Sequence, residues 1–134
     1  MSKISLANAR AYLAQLDLDY IVKAMCSADY ALPQWTEEDA KHCARLYKNF
    51  LFLFKKHFPE PLVPTRLIDE FWHNHILYTK RYTEDCLNIF GHYLHHEPAS
   101  GDEGAERLVE QFMKTQRYYF EEFGELYSIS PNIT

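Results

Sequence analysis

The stretch DEFWHNHILY, residues 69–78, holds the first side chains that suggest chemistry. His73 and His75 follow Trp72, and Asp69 lies four residues before His73. Imidazole nitrogens and carboxylate oxygens bind zinc, and both groups transfer protons. Successive helical residues are about 100° apart, so two residues separated by one position point to nearly opposite sides. His73 and His75 therefore cannot bind one ion from a regular helix.

The surrounding apolar residues predict the side that each histidine takes. They place His75 near the centre of the apolar face, and they place His73 on the other side beside Asp69. We expect His75 to be buried, with its ring nitrogens bonded to core partners if its role is structural. His73 is expected to face a cleft or solvent. The Asp69–His73 pair has a second interpretation, a surface hydrogen bond of small energy.

A second group of histidines lies further along the chain. His92 and His96 are four residues apart, and on a helix this spacing offers two imidazoles to one metal ion. His95 flanks the same side, and Asp85 is a third ligand or an orienting acceptor. Five of the seven histidines lie between positions 73 and 96, which favours a metal site. The alternative is that these histidines cap the carbonyls at the end of a helix.

Cap and turn signals predict the elements that position these residues: an all-α, compact single-domain bundle of about five helices over residues 1–134. One or two short helices precede residue 30. The clearest helix begins after Thr36, continues as one apolar stripe to Phe58 and stops at Pro59. The sequence PEPLVP predicts a stiff linker over 59–64. The first helices are expected to contribute core contacts from Leu13, Leu16, Ile21 and Met25.

The second half of the chain is predicted as three helices. One runs from about Arg66, after a Thr65 cap, to Tyr82, and the next is capped by Thr83 and ends near residues 95–98. Residues 99–104 predict a flexible connector, and the last helix covers about 103–126. A tail from Ser128 carries little signal. The apolar face of the last helix is expected to comprise Ala105, Leu108, Val109, Phe112, Met113, Phe120 and Phe123.

Composition narrows the function classes. A hydrophobic fraction of 47% in 134 residues is enough for a packed core. A net charge of −5 with scattered basic residues gives no indication of nucleic-acid binding. The longest apolar run, Phe50 to Phe54, is too short for a bilayer, and the N-terminus lacks a signal-peptide pattern. The three cysteines, Cys26, Cys43 and Cys86, predict core thiols in a reducing cytoplasm.

The segment from Leu67 to Pro98 resembles the glycine-rich-domain-protein-like family. Members carry Ile-Asp, Trp-His-x-His, a Tyr, then Asp-Cys, a Gly and a late His. The upstream stretch from Trp35 resembles short bacterial members, so the motif core covers 35–98. The sequence has only four glycines and no glycine-rich region, so roles tied to that region of plant members are not implied. The matching positions here are Ile68, Asp69, Trp72, His73, His75, Tyr82, Asp85, Cys86, Gly91 and His95 or His96.

Three functions remain open on the sequence. The first is a small soluble helical domain with a divalent-metal site, zinc for example, or a ligand site between the two central helices. The second is a non-enzymatic module that binds a protein partner, in which the histidines are structural. The third is a metal-dependent hydrolase with Asp69 or Asp85 as the base. The candidate ligands are Asp69, His73, His75, Asp85, His92, His95 and His96, and no membrane partner is expected.

Overall fold

The computed structural model describes residues 3–97 and 101–127, which form helices and no strand. The predicted all-α fold is therefore confirmed, with six helices where the sequence indicated about five. In this part of the chain, no helix has both the length and the apolar character needed to cross a membrane. The helices are α1 (Leu6–Gln15), α2 (Asp19–Met25), α3 (Glu37–His57), α4 (Arg66–Leu77), α5 (Thr79–Ile89) and α6 (Gly101–Phe123).

Helix α3 is the centre of the packing, in contact with α1, α2, α4 and α6. The Thr36 hydroxyl accepts the backbone N–H of Asp39 at 3.1 Å, which confirms the predicted cap. The predicted apolar stripe is buried from Ala40 to Phe54. Loss of a fully buried ring such as that of Phe50 would cost about 3–5 kcal/mol, because a cavity would remain. The other helices are thus held on one well-packed element.

Helix α4 starts as predicted but ends earlier. The Thr65 hydroxyl accepts the N–H of Ile68 at 3.2 Å and caps the first turn. The predicted end at Tyr82 is wrong, because Tyr78 leaves the helical conformation with ψ of 71°. No proline or glycine marks this position. The break allows α5 to turn back and pack against α4 and α1.

Helix α5 differs from its prediction at both ends. It starts at Thr79, so Thr83 lies in the second turn and is not the cap. It ends at Ile89, and Gly91 follows with φ of 82°, a left-handed conformation that glycine adopts without steric cost. Residues 92–97 consequently form a loop. The prediction that His92 and His96 lie one turn apart on a helix is therefore wrong.

Helix α6 begins at Gly101 and ends at Phe123, close to the predicted bounds of 103–126. Of the predicted connector, residues 101–104 belong to this helix, and residues 98–100 lie outside the described ranges. The predicted tail from Ser128 also lies outside them. Gly124, with φ of 67°, ends the helix, and its N–H bonds to the carbonyl of Phe120 at 2.9 Å.

The buried face of α6 is not the one predicted. Thr115 and Tyr119 are fully buried, whereas Leu108, Val109 and Met113 are 42%, 60% and 63% exposed. Tyr119 is held by a 2.9 Å hydrogen bond from the Asn49 side chain of α3, which fixes the rotation of α6 about its axis. An apolar strip of α6 is thereby left facing outward. Of the other predicted face residues, Ala105 and Phe120 are also exposed, while Phe112 and Phe123 pack against the core.

Candidate metal site and its groove

Three of the predicted site residues come together on the outer face of α4. Asp69 and His73 lie one turn apart on this helix, and His96 reaches them from the 92–97 loop. One ligand atom from each residue lies within 4.8 Å of the other two. His96 Nε2 hydrogen-bonds to Asp69 Oδ1, and His73 Nδ1 is 3.9 Å from Asp69 Oδ2. One carboxylate therefore links two histidines that are far apart in sequence.

The imidazole of His96 is fixed by stacking on two other rings. Its centroid is 4.0 Å from that of Trp72 with planes 10° apart, and 4.8 Å from that of His73 with planes 15° apart. The His96 side chain is 17% exposed, against 60% for His73. Stacking restricts rotation of the His96 ring, so its Nε2 edge stays directed at Asp69. His73 has more freedom to move.

A buried hydrogen-bond chain positions the loop that carries His96. Trp72 Nε1 donates to the Tyr82 hydroxyl at 2.9 Å, and this hydroxyl donates to the Leu94 carbonyl at 2.6 Å. Burial raises the pKa of Tyr82 far above its ordinary value, so the phenol keeps its proton. The indole that stacks on His96 and the loop that presents His96 are thus tied to the same hydroxyl.

His75 and Asp85 form a separate buried network. His75 is 1% exposed, which confirms its predicted burial. Its Nε2 lies 2.7 Å from Asp85 Oδ2, its Nδ1 lies 2.7 Å from the Tyr47 hydroxyl, and Tyr12 donates to Asp85 Oδ1 at 2.5 Å. A neutral imidazole satisfies this pattern by donating from Nε2 and accepting at Nδ1. The network joins four helices, and its ring nitrogens and carboxylate oxygens all have partners.

The phenols of this network are held in their neutral form. Burial raises the pKa of Tyr47 well above its ordinary value. Burial also raises the pKa of Tyr12, and the hydrogen bond to Asp85 adds to the effect. Both phenols therefore keep their protons, and the Tyr12 hydroxyl donates its proton to the hydrogen bond with Asp85.

His92 and His95 lie in the same loop as His96 but outside the cluster. His92 is exposed, and its Nδ1 is 3.0 Å from the backbone carbonyl of Tyr93. The His95 ring packs on that of Tyr93, with centroids 4.8 Å apart. Within residues 3–97 and 104–127, Asp69, His73 and His96 form the one group of three side chains with metal-ligand spacing.

The cluster opens onto a groove of about 1230 Å³. The walls are the 59–64 linker, the 92–97 loop and the first half of α6. Apolar side chains dominate these walls, and among them Phe58 is 46% exposed and Val109 60% exposed. The apolar strip of α6 that was predicted to lie in the core is part of this groove.

The types of donor in this cluster are those that bind divalent ions such as zinc. Zinc–ligand distances are about 2.0–2.2 Å for nitrogen and oxygen, so two donors on one tetrahedral ion are roughly 3.3 Å apart. The three ligand atoms lie within 4.8 Å of one another, and the His73 side chain is 60% exposed. Three protein ligands leave a fourth position, as in zinc sites that bind water or a substrate. All three residues of the cluster line the groove.

The fold and the cluster together define an all-helical protein with an Asp–His–His group beside an apolar groove. Residues 9–119 match the UCP032817-like family, and the chain belongs to that family. It is also similar to glycine-rich domain-containing protein 1 of Arabidopsis thaliana, with 35% identity over 86 residues, which are 60% of this chain and 10% of that protein. The chain thus spans about a tenth of this relative's length. No solved structure matches the chain. The predicted resemblance to glycine-rich-domain proteins is confirmed.

The sequence identifies Asp69, His73 and His96 as candidates but does not show that they belong together. Gly91 was an available signal, because a glycine after the last apolar turn commonly ends a helix and releases the following histidines into a loop. Trp72 and Tyr82 are recognisable as motif positions. Their contacts with His96 and with the Leu94 carbonyl have no signal in the sequence.

Proposed function

We propose that this chain binds a divalent metal ion through Asp69, His73 and His96, and that zinc is the favoured ion. The observation that carries the proposal is the convergence of these three donors, brought together across 27 residues by the hydrogen bond between Asp69 and His96. The stacking of His96 on Trp72 supports it, because a fixed ligand loses little freedom on binding.

The chemistry of the donors favours a borderline transition metal over magnesium or calcium. Imidazole suits zinc, copper, iron and nickel, whereas magnesium and calcium prefer sites made of oxygen donors. With Asp69 used as a ligand, no carboxylate of the cluster is left as a base. Asp85 lies in the buried network with His75. A hydrolase that uses either aspartate as its base therefore has no support from the geometry.

Metal titration of purified, tag-free protein tests the proposal. We expect about one equivalent of Zn²⁺ to bind the parent protein, and His73→Ala to weaken binding at least tenfold, because one of three protein ligands is lost. His95→Ala is the matched control, since His95 lies in the same loop as His96, is exposed and is outside the cluster. Elemental analysis after dialysis measures retained metal independently.

Two results would end the metal proposal. One is a parent protein that binds no zinc above background, and the other is equal weakening by His73→Ala and His95→Ala. Either would favour the second candidate, a protein-interaction module, for which the exposed apolar residues of α6 are the supporting observation.

The single-domain organisation over 1–134 and the cytoplasmic location stay predictions. One cooperative unfolding transition, seen equally by circular dichroism and by tryptophan fluorescence, would support a single domain. The three free cysteines are consistent with a reducing compartment, and fractionation of cells that express the full protein tests that location.

A further inference from the structure

The long wall of the groove is apolar and accessible. Leu108, Val109 and Met113 of α6 line the groove together with Phe58 and the linker residues, and all four named side chains are exposed. A concave surface lined by large apolar side chains is typical of a ligand-binding site. The lining suits a hydrocarbon chain or another extended apolar group.

The metal end of the groove carries positive charge when an ion is bound. The two charges of the ion exceed the single charge of Asp69. Arg66, one turn before Asp69 on α4, and Arg107 of α6 also line the groove, and neither pairs with an acidic group in the described part of the chain. Among the described residues, Glu97 is the one other acidic residue that lines the groove. With an ion bound, the charges that line the groove favour an anionic group that can also coordinate the ion.

We propose that the groove binds an apolar monocarboxylate, with the carboxylate at the open position of the metal site and the chain along the apolar wall. The proposal rests on the proposed metal function. It deepens that function by assigning the class of ligand: a carboxylic acid with a chain of several carbons or more. A carboxylate oxygen supplies the fourth donor to the ion, and Arg66 and Arg107 complement its remaining charge.

The test uses full-length protein loaded with one equivalent of Zn²⁺ and freed of excess metal, with decanoate as the probe in calorimetric titrations. Hexanoate and octanoate report the contribution of the chain, and decyltrimethylammonium has the same tail with a cationic head. We expect affinity to rise up to about fourfold for each methylene group buried. Decyltrimethylammonium should bind at least tenfold more weakly than decanoate.

Two variants separate the groove from the rest of the surface. Val109→Asp places a charge on the apolar wall and should weaken decanoate binding at least tenfold while leaving zinc binding unchanged. Leu87→Asp is the control, because Leu87 is also an exposed apolar helix residue, at 51%, and lies outside the groove. In Co²⁺-loaded protein, decanoate should change the visible absorption spectrum, because a carboxylate joins the ion.

Each outcome decides the proposal. Decanoate binding that needs the metal, depends on chain length and is lost in Val109→Asp alone supports it. Zinc binding without decanoate binding overturns the ligand assignment and leaves the metal site standing. Equal binding of the cationic detergent, or equal loss in both variants, overturns it as non-specific adsorption. If zinc does not bind, this is seen when the protein is loaded with zinc, before decanoate is added. That result refutes the proposed metal binding and is distinct from a failure of decanoate to bind.

Discussion

Substitution of His75 tests the buried network most directly. His75→Ala removes the partner of the Tyr47 hydroxyl, which is fully buried, and one of the two side-chain donors to the Asp85 carboxylate. A buried polar group left unsatisfied costs about 1–3 kcal/mol, and more when it is charged. Two such groups and the cavity left by the ring give an expected loss of about 3–5 kcal/mol. This is a large share of a typical folding free energy of about 5–15 kcal/mol.

The assay is urea unfolding followed by far-ultraviolet circular dichroism, with a chelator present so that metal binding does not contribute to stability. His73→Ala is the control, because His73 lies on the same helix with its side chain 60% exposed. It should change the free energy of unfolding by less than about 0.5 kcal/mol. A double-mutant cycle with Tyr47→Phe should show a coupling of about 0.5–3 kcal/mol, because the two side chains share one hydrogen bond.

Two results would refute this account of the network. If His75→Ala costs less than about 1 kcal/mol, the hydrogen bonds of His75 do not hold the core together. If His73→Ala is as destabilising as His75→Ala, the assignment of buried and exposed faces on α4 is wrong.

Three further predictions follow from the backbone and the buried side chains. Gly124→Ala should destabilise the protein by about 1 kcal/mol in thermal unfolding, because its φ of 67° is unfavourable for a residue with a Cβ. Burial raises the pKa of Tyr30 and of Cys43 to about 12. Each group stabilises the folded protein fully at pH values below its pKa in the unfolded chain. This stabilisation is lost as pH rises towards the pKa in the folded protein. The melting temperature should therefore fall between about pH 9 and 12. At pH 8, a maleimide should label the partly exposed Cys26 of native protein, while Cys43 and Cys86 should react only after unfolding.

Local sequence signals were sufficient to predict much of the helical framework. The Thr36 and Thr65 hydroxyls cap α3 and α4 as their patterns predict, because a cap depends on residues within one turn. The exposure of His73 and the burial of His75 also follow from the helical period alone, because α4 has a single buried face.

The bounds of the elements around the site were less predictable. The break at Tyr78, which allows α5 to pack back on α4, has no glycine or proline to mark it. Gly91 is a recognisable stop signal, yet the apolar residues after it continue a helix-like pattern. The same ambiguity applies to α6, where Asn49 and Tyr119 decide which of two apolar strips turns inward.

The sequence by itself determined an all-helical chain, the helix caps and a short list of metal-type side chains that includes Asp69, His73 and His96. Only the tertiary structure decided which of them meet. His96 reaches Asp69 because α5 reverses the chain and the Tyr82 hydroxyl holds the loop, and His75 turns instead to Asp85. Periodicity describes the direction of a side chain within one helix. Contact between residues 27 positions apart depends on how separate elements pack, and a local pattern carries no information about that distance.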